Sequence, residues 1–320
     1  MLALLRLLAF ACAVTLALPA SAQTYPSRTV KLIVPFGAGG PADVYARVLA
    51  KYLSETTKQT FVVEDRPGAG SMIGTELVAK STPDGYTLLV MSNTHTTNES
   101  LVAKKPYKLM RDFVPVATVN YSDLLMVVHP SVPAKTVAEF IALAKAKPGT
   151  LNYASSGPGT PYHMAGELFK AMSGTNIVHV PHRASGDARN SVLAGTVQMM
   201  FDAITTMQPL AKAGKVRALA TTGLKRSPLT PDLPTVSETV PGYEATIWIG
   251  IMAPKGTPKD VVTFLNKAIN TVIELPEVKA AWLKQGAVPL VKTPEQFEAF
   301  LNQDIAKWAN VVKFSGAKIR

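Results

Sequence analysis

The residues VKLIVPFGAGGPAD (30–43) run from an apolar strand pattern through a glycine-rich loop into a helix pattern, and LNYASSGPGTPYH (151–163) repeats that order. Such loops leave backbone N–H groups uncovered by side chains at a helix N-terminus, where the helix dipole adds partial positive charge. Each stretch therefore predicts an anion-binding loop. Two such loops in one chain predict two lobes that hold one small anionic ligand.

Short β-rich apolar runs alternate with helical patterns along the rest of the chain, which is typical of an α/β fold with largely parallel sheets. Strands are predicted at 30–34, 60–64, 86–91, 125–129, 151–154, 177–180, 197–201, 216–221 and 247–252. The remaining pattern is purely helical, with helices predicted at 258–275, 276–285 and 294–314 that should pack back on the first lobe. The proline-rich segment 226–242 is predicted to be irregular. Asp43 is expected at the N-cap of the first helix.

The first 22 residues have the pattern of a secretory signal peptide. Arg6 gives a basic start, residues 7–18 are almost wholly apolar, and Ala22 ends a small-residue cleavage site. An apolar run of about a dozen residues is too short to span a bilayer. Cleavage would remove Cys12, the only cysteine, which excludes a disulfide or a cysteine nucleophile from the mature chain. The sequence therefore predicts an exported protein.

The chain has a formal net charge of +11, which raises the question of a nucleic-acid partner. Its lysines and arginines are scattered, however, the aromatic fraction is 7%, and no basic run exceeds two residues. A simpler explanation of the net charge is a positive electrostatic field that concentrates small anions near the protein. The alternative is a basic surface without a specific role. The sequence therefore predicts a small-molecule ligand and no nucleic-acid partner.

The first loop superficially fits a cofactor motif. Gly37, Gly39 and Ala42 match the spacing of the dinucleotide fingerprint. Export argues against a dinucleotide, and so do Pro35 and Pro41, which lack amide donors. The P-loop pattern is weaker still, because no Gly-Lys-Ser/Thr follows at the required spacing. No cofactor is expected.

Several serine, histidine and aspartate residues are candidates for hydrolytic or metal chemistry. Ser155, His163 and Asp202 could in principle form a triad, but the chain has no G-x-S-x-G motif. A secreted serine hydrolase is therefore kept as the alternative function. His179 and His182 lie three residues apart without nearby carboxylates or thiols, which predicts no metal site. The chain is expected not to be an enzyme.

Polar residues follow two predicted strands at their C-terminal ends, where ligands bind in open α/β sheets. Ser92, Asn93 and His95 follow the third strand and form a candidate third wall of the site. Asp202 directly follows the strand at 197–201. Its carboxylate either orients donors, accepts a hydroxyl or ammonium group of the ligand, or braces the loop.

Seven motifs occur in the order found in a known family. They are YPSRTVKLIVPFGAGGPADVYAR at 25–47, VVEDRPGAGSMIG at 62–74, PDGYTLL at 83–89, LNYASSGPGTPYHMAGELF at 151–169, HVP at 179–181, GTVQMMFD at 195–202 and LPTVSE at 233–238. Through them the chain resembles the Bug family, the periplasmic solute-binding receptors of tripartite tricarboxylate transporters. The resemblance covers essentially the whole mature chain.

The resemblance implies a two-lobed, periplasmic-binding-protein-like α/β fold of type II with the ligand between the lobes. After a signal peptide at 1–22, the first lobe is predicted to comprise 23–123 plus 247–320, and the second 124–246. The implied function is capture of a small carboxylate-bearing solute in the periplasm and its delivery to inner-membrane subunits of a tripartite tricarboxylate-type transporter. A monomer is expected. A periplasmic sensor that feeds a signalling partner is a further alternative.

The resemblance also nominates the residues that would fix the ligand carboxylate. They are Phe36, Gly37, Ala38, Gly39, Ser155, Gly157, Thr160, His163 and Asp202. The chain departs from the family pattern after HVP, where a tyrosine, a basic residue and a glycine are usual and His182, Arg183 and Ala184 stand here. His182 or Arg183 is therefore predicted to contact a second anionic or polar group of the ligand.

Overall fold

The strands of this chain form two separate sheets, each with helices on both faces. The structure, a computed structural model, describes residues 25–182 and 185–315. The first sheet contains β1 (Val30–Val34), β2 (Phe61–Asp65), β3 (Thr87–Ser92), β4 (Phe113–Ser122), β10 (Ile247–Pro254) and β11 (Ala287–Pro289). The second contains β5 (Leu124–Val128), β6 (Asn152–Ser155), β7 (Val178–Pro181), β8 (Met199–Ala203) and β9 (Arg217–Thr221). We call the units built on these sheets lobe 1 and lobe 2.

Eleven α-helices connect the described strands or follow them. They are α1 (Pro41–Thr57), α2 (Met72–Ala79), α3 (Asn93–Leu101), α4 (Leu109–Asp112), α5 (Val137–Ala146), α6 (Pro161–Ser173), α7 (Ser185–Leu193), α8 (Ile204–Lys212), α9 (Lys259–Ile273), α10 (Pro276–Leu283) and α11 (Pro294–Ser315). The proline-rich connection between β9 and β10 is irregular apart from one short 3₁₀ turn, Val236–Glu238, as predicted.

Both sheets are mixed, with the spatial orders β11-β4-β10-β3-β1-β2 and β7-β6-β8-β5-β9. The glycine-rich loops follow β1 and β6, which pair in parallel with their neighbours. In contrast, β10 enters lobe 1 from lobe 2 and β5 enters lobe 2 from lobe 1, and both run antiparallel to their neighbours. The prediction of largely parallel sheets is wrong for these crossing strands.

All nine predicted strands are present with ends within two residues, but β4 and β11 were not predicted. Pro115 lies inside β4, and proline normally argues against a strand in the middle of a sheet because it lacks an N–H donor. Here the β4–β10 pairing shifts register beside Pro115, between Ile251 and Met252. Since β11 pairs with β4 only at residues 120–122, Pro115 has β10 as its one partner strand among the described residues, and the irregularity accommodates it there.

The first helix begins about one turn before Asp43, the residue that was predicted as its N-cap. Gly40 is the N-cap of α1 and Pro41 its first residue, a position where the missing N–H of proline costs nothing. Asp43 is therefore not the N-cap that was predicted, but the third helical residue. Its Oδ2 does accept a backbone N–H, from Gly39 at 2.7 Å.

Two chain crossings and one helix join the lobes. The chain passes between them at Asp123 and again just before β10. The first half of α11 packs in lobe 1 through Phe297 and Leu301, as predicted for this helix. Its second half places Trp308 and Val311 in the core of lobe 2, so the prediction that the whole helix packs on lobe 1 is wrong. The residue boundaries of the lobes stay a prediction.

No helix within residues 25–182 and 185–315 combines the length and the apolar character needed to cross a bilayer. The predicted signal peptide lies outside the described residues.

Candidate functional site

A cavity of about 230 Å³ lies where the two lobes face each other. Lobe 1 lines it with the loop before α1, the start of α3 and strand β10, and lobe 2 with the starts of α6 and α7. The lining residues are Phe36, Gly40, Pro41, Ala42, Ser92, Thr94, Ile247 and Ile249 from lobe 1, and Pro161, Tyr162 and Ser185 from lobe 2. A ligand held there would contact both lobes at once.

A larger groove of about 630 Å³ lies along α8 and the edge strand β9 of lobe 2. It is lined by lobe 2 alone and includes neither glycine-rich loop. Ligands in α/β sheets bind beyond the carboxyl ends of strands. The cavity between the lobes lies there, since residues that follow β1, β3 and β6 line it, and it is therefore the stronger candidate site.

The first glycine-rich loop has two free amides at its exposed tip. Gly39 adopts φ +75°, the left-handed region that favours glycine, and its N–H is taken by Asp43. The N–H of Gly40 donates to the carbonyl of Gly37 at 3.2 Å. Within the described chain, the amides of Gly37 and Ala38 have no hydrogen-bond partner. They are the donors that this loop can offer to an anion.

The predicted third wall, after β3, is only partly exposed to the cavity. Ser92 lines the cavity and its Oγ accepts the N–H of Thr94 at 3.2 Å. His95 is fully buried, with Nδ1 accepting the N–H of Ser92 and Nε2 2.9 Å from Oγ1 of Thr75. Burial lowers the pKa of His95 to about 4, so the ring is neutral at physiological pH. His95 therefore caps α3 inside lobe 1 instead of forming the cavity wall that was expected.

Asn93 has an unused acceptor. In the sequence it lies between the cavity-lining residues Ser92 and Thr94, its side chain is buried, and its Nδ2 donates to the carbonyl of Thr246 at 3.4 Å. Its Oδ1 has no hydrogen-bond partner among the described residues. Because a buried unpaired acceptor is costly, this oxygen suits a donor from a ligand or a bound water.

In the second glycine-rich loop the predicted ligand hydroxyls bond within the protein. Ser155 is fully buried, and its Oγ accepts the N–H of Gly157 at 3.1 Å and lies 2.6 Å from Nε2 of His179. Oγ1 of Thr160 caps α6 and donates to the carbonyl of Gly157 at 2.8 Å. These groups hold the loop in shape, and the next residues, Pro161 and Tyr162, line the cavity.

Two histidines stack beneath this loop. The ring centroids of His163 and His179 are 4.1 Å apart, and His179 also stacks on Tyr153. Nδ1 of His163 accepts the N–H of Gly159 at 3.0 Å. Burial lowers the pKa of His163 to about 4 and that of His179 to about 3, so both rings are neutral at physiological pH. His163 thus supports the loop from inside, and its predicted contact with the ligand stays a prediction.

Replacing Gly166 with alanine should destabilise the protein, because Gly166 lies against Tyr153 of this stack. A Cβ at position 166 would overlap the ring of Tyr153. Overpacking costs about 1–3 kcal/mol, and the gain of about 1 kcal/mol in helix propensity offsets only part of it. Urea unfolding should therefore show a net loss. The matched control is Gly186→Ala in α7, where a Cβ meets nothing within 4 Å, and no loss is expected. Equal stability of both variants would contradict the prediction.

Asp202, at the end of β8, braces an arginine that was not predicted as a site residue. The Asp202 side chain is fully buried, and its Oδ1 accepts the N–H of Ala203 at 2.8 Å. Its Oδ2 accepts Nε–H of Arg189 at 2.7 Å. The hydroxyl of Tyr162, which lines the cavity, interacts with Asp202 and Ser185. The carboxylate thus orients donors, one of the three roles considered for it.

The predicted second contact, at His182 or Arg183, stays a prediction. His182 is partly buried beyond the end of β7, with its N–H bonded to the carbonyl of Ser155 at 2.9 Å. Its Nδ1 lies 3.1 Å from the carbonyl of Val180. Arg183 lies outside the described residues.

The structure does not bring together the triad considered for a hydrolase. Ser155 pairs with His179, not with His163, and Asp202 is engaged by Arg189 and Ala203. Because the hydroxyl of Ser155 belongs to a fully buried side chain, no substrate can reach it in this conformation. No group of three or more metal-ligating side chains occurs within 25–182 and 185–315.

Two α/β lobes joined by two chain crossings, with a cavity lined from both, define a solute-binding protein of the periplasmic-binding-protein type. Residues 45–316 match the family described as "Tripartite tricarboxylate transporter family receptor", and the chain belongs to that family.

Similar proteins match this chain over nearly its whole length. Protein BugT of Bordetella pertussis (strain Tohama I) is 38% identical over 308 residues, which are 95% of this chain and 94% of that protein. The Rhodopseudomonas palustris protein Rpa4515, solved with adipate, is 35% identical with a TM-score of 0.79, and the match covers 91% of this chain and 98% of that one. MatC (Rpa3494) from Rhodopseudomonas palustris, solved with bound malate, is 30% identical with a TM-score of 0.75, over 90% of this chain and 100% of that one.

Proposed function

We propose that this protein, after cleavage behind Ala22, captures a small carboxylate-bearing solute in the periplasm and delivers it to the membrane subunits of a tripartite tricarboxylate-type transporter. The cavity lined from both lobes, with two free amides of a glycine-rich loop beside it, carries the proposal. The similar proteins solved with adipate and malate hold dicarboxylates, which supports the same ligand class here.

In this proposal the amides of Gly37 and Ala38 donate to one ligand carboxylate at the N-terminal end of α1, where the helix dipole favours an anion. Phe36 from lobe 1 and Tyr162 from lobe 2 form opposite apolar walls. A solute that contacts both lobes stabilises the closed arrangement relative to the open one. The transporter then distinguishes the loaded receptor by its closed shape.

Binding without turnover is part of the proposal. The hydroxyl of Ser155, the nucleophile considered for a hydrolase, is buried and paired with His179. A serine hydrolase at this position would cleave ester substrates, so measurable ester turnover would favour that alternative over the receptor.

A thermal-shift panel tests the function directly. Di- and tricarboxylates, amino acids and aromatic acids are added to the mature protein, and the unfolding midpoint is measured. A bound acid at 100 times its dissociation constant should add about 2.7 kcal/mol to the free energy of unfolding. If no carboxylate raises the midpoint, the proposed function is wrong.

Replacing Ala38 with proline should weaken binding of the best carboxylate from that panel by about tenfold or more. The substitution removes one N–H, and a hydrogen bond to a charged group contributes about 1.5–3 kcal/mol. Ala38 is exposed, so the fold should tolerate the change. Isothermal titration of Ala38→Pro is compared with Ala38→Gly, which keeps the amide and should bind as the wild type does. Equal affinities of the two variants would exclude the amide at position 38 as a ligand donor.

A further inference from the structure

Arg189 is a cation held in a fixed position by a buried carboxylate. Its Nε–H donates to Oδ2 of Asp202 at 2.7 Å, and the N–H of Ala203 fixes the other carboxylate oxygen. The side chain of Asp202 is 1% exposed, whereas that of Arg189 is 29% exposed. The pair therefore presents its positive end outward, and Asp202 positions the guanidinium from behind.

The guanidinium of Arg189 keeps an open edge. An arginine carries five N–H donors in a planar fork, and the contact with Asp202 uses only the one on Nε. Neither terminal nitrogen has a hydrogen-bond partner within the residues that the structure describes. A planar pair of N–H groups matches the geometry of a carboxylate.

Arg189 borders the cavity from lobe 2. It lies one turn after Ser185 on α7, and Ser185 lines the cavity. It also interacts with Tyr162, another lining residue. The free amides of Gly37 and Ala38 lie on lobe 1. The cavity thus has one anion-binding group on each lobe.

We propose that Arg189 binds a second anionic group of the solute and makes the receptor select dicarboxylates over monocarboxylates of the same length. This rests on the proposed function, in which the loop of lobe 1 takes the first carboxylate. A dicarboxylate then joins the lobes through a charge-assisted contact at each end, with backbone amides on lobe 1 and the guanidinium on lobe 2. A monocarboxylate leaves the open edge of the guanidinium without a ligand partner.

The test compares matched pairs of probes: succinate with butyrate, glutarate with pentanoate, and adipate with hexanoate. Dissociation constants are measured by isothermal titration for the wild type and for the double variant Arg189→Gln, Asp202→Asn. The double variant keeps the net charge and avoids leaving a buried carboxylate unpaired, which would destabilise the fold. Arg226→Gln, Glu238→Gln is the control, because it neutralises an exposed ion pair of lobe 2 that does not line the cavity.

The wild type and the control should bind the best dicarboxylate about tenfold or more tightly than its monocarboxylate, as expected for one charge-assisted contact. In the Arg189/Asp202 variant that ratio should fall to about one or two, with monocarboxylate affinity nearly unchanged. A ratio that stays at the wild-type value, or no dicarboxylate preference in the wild type, overturns the role of Arg189 but leaves carboxylate capture intact. A wild type that binds no probe overturns the proposed function itself.

Discussion

Replacing Trp308 with alanine should lower the free energy of unfolding by about 3–5 kcal/mol, the usual cost of removing a buried tryptophan. Trp308 is 1% exposed and, with Val311, belongs to the core of lobe 2. Phe297 and Leu301 anchor the first half of the same helix in lobe 1. The substitution therefore leaves a cavity in lobe 2 and also detaches a helix that holds both lobes.

Urea unfolding measures the loss of stability, and hydrogen exchange locates it. Amides in the second half of α11 should lose protection in Trp308→Ala, while those around Leu301 should change less. Trp308→Phe should keep most of the stability, because the indole N–H that it removes has no hydrogen-bond partner among the described residues. Trp282→Ala, in the core of lobe 1, is the matched control and should leave exchange in the second half of α11 unchanged. Unaltered exchange around Trp308 in its own alanine variant would exclude the bridging role.

The division of α11 between the lobes shows a limit of sequence patterns. The helical pattern of the sequence predicted a helix at 294–314. It did not indicate that Phe297 and Trp308 pack in different cores, because periodicity carries no information on the partner surface. In the same way β4 was missed, since a bulge beside Pro115 depends on the partner strand β10.

The candidate site was predicted unevenly for a similar reason. Glycine-rich stretches before helices located both loops, and Phe36 and Ser92 do line the cavity. Which hydroxyls and amides remain free depends on hydrogen bonds that only the folded chain forms. Ser155 lies 24 residues before its partner His179, and no local pattern signals that contact.

Arg189 was missed although its sequence position contained a usable signal. It lies four residues after Ser185, on the same side of α7, and 13 residues before Asp202. The sequence placed the carboxylate of Asp202 at the end of a strand and left open whether it orients donors. Assigning an arginine as its partner requires the packing of α7 against β8, which a single sequence does not supply.

Replacing Asp123 with asparagine should stabilise the folded protein by about 3 kcal/mol at neutral pH. Asp123 lies at a chain crossing between the lobes and is 7% exposed. Burial raises the pKa of its carboxyl group to about 6, with a further contribution from the charge of Glu244 in the other crossing. Its Oδ1 has no hydrogen-bond partner among the described residues. Ionised Asp123 is therefore a buried charge with one oxygen unpaired among the described residues, and asparagine removes that charge while keeping the shape.

The stability gained by Asp123→Asn should be present at neutral pH and disappear at acidic pH. Because the folded-state pKa of Asp123 exceeds its unfolded value near 4, the protonated form stabilises the folded state fully below about pH 4, and this contribution is lost as the pH rises through about 6. Urea unfolding at a series of pH values should show nearly equal stabilities for Asp123→Asn and wild type at about pH 4, and the full difference above about pH 7. Comparing the two proteins at each pH cancels the opposite effect of the buried histidines His95, His163 and His179, whose lowered pKa values reduce stability as the pH falls. In a Glu244→Gln background the pH dependence of the stability gain should become smaller, since one source of the raised pKa of Asp123 is removed. A stability difference between Asp123→Asn and wild type that is constant across the pH series would show that Asp123 titrates normally.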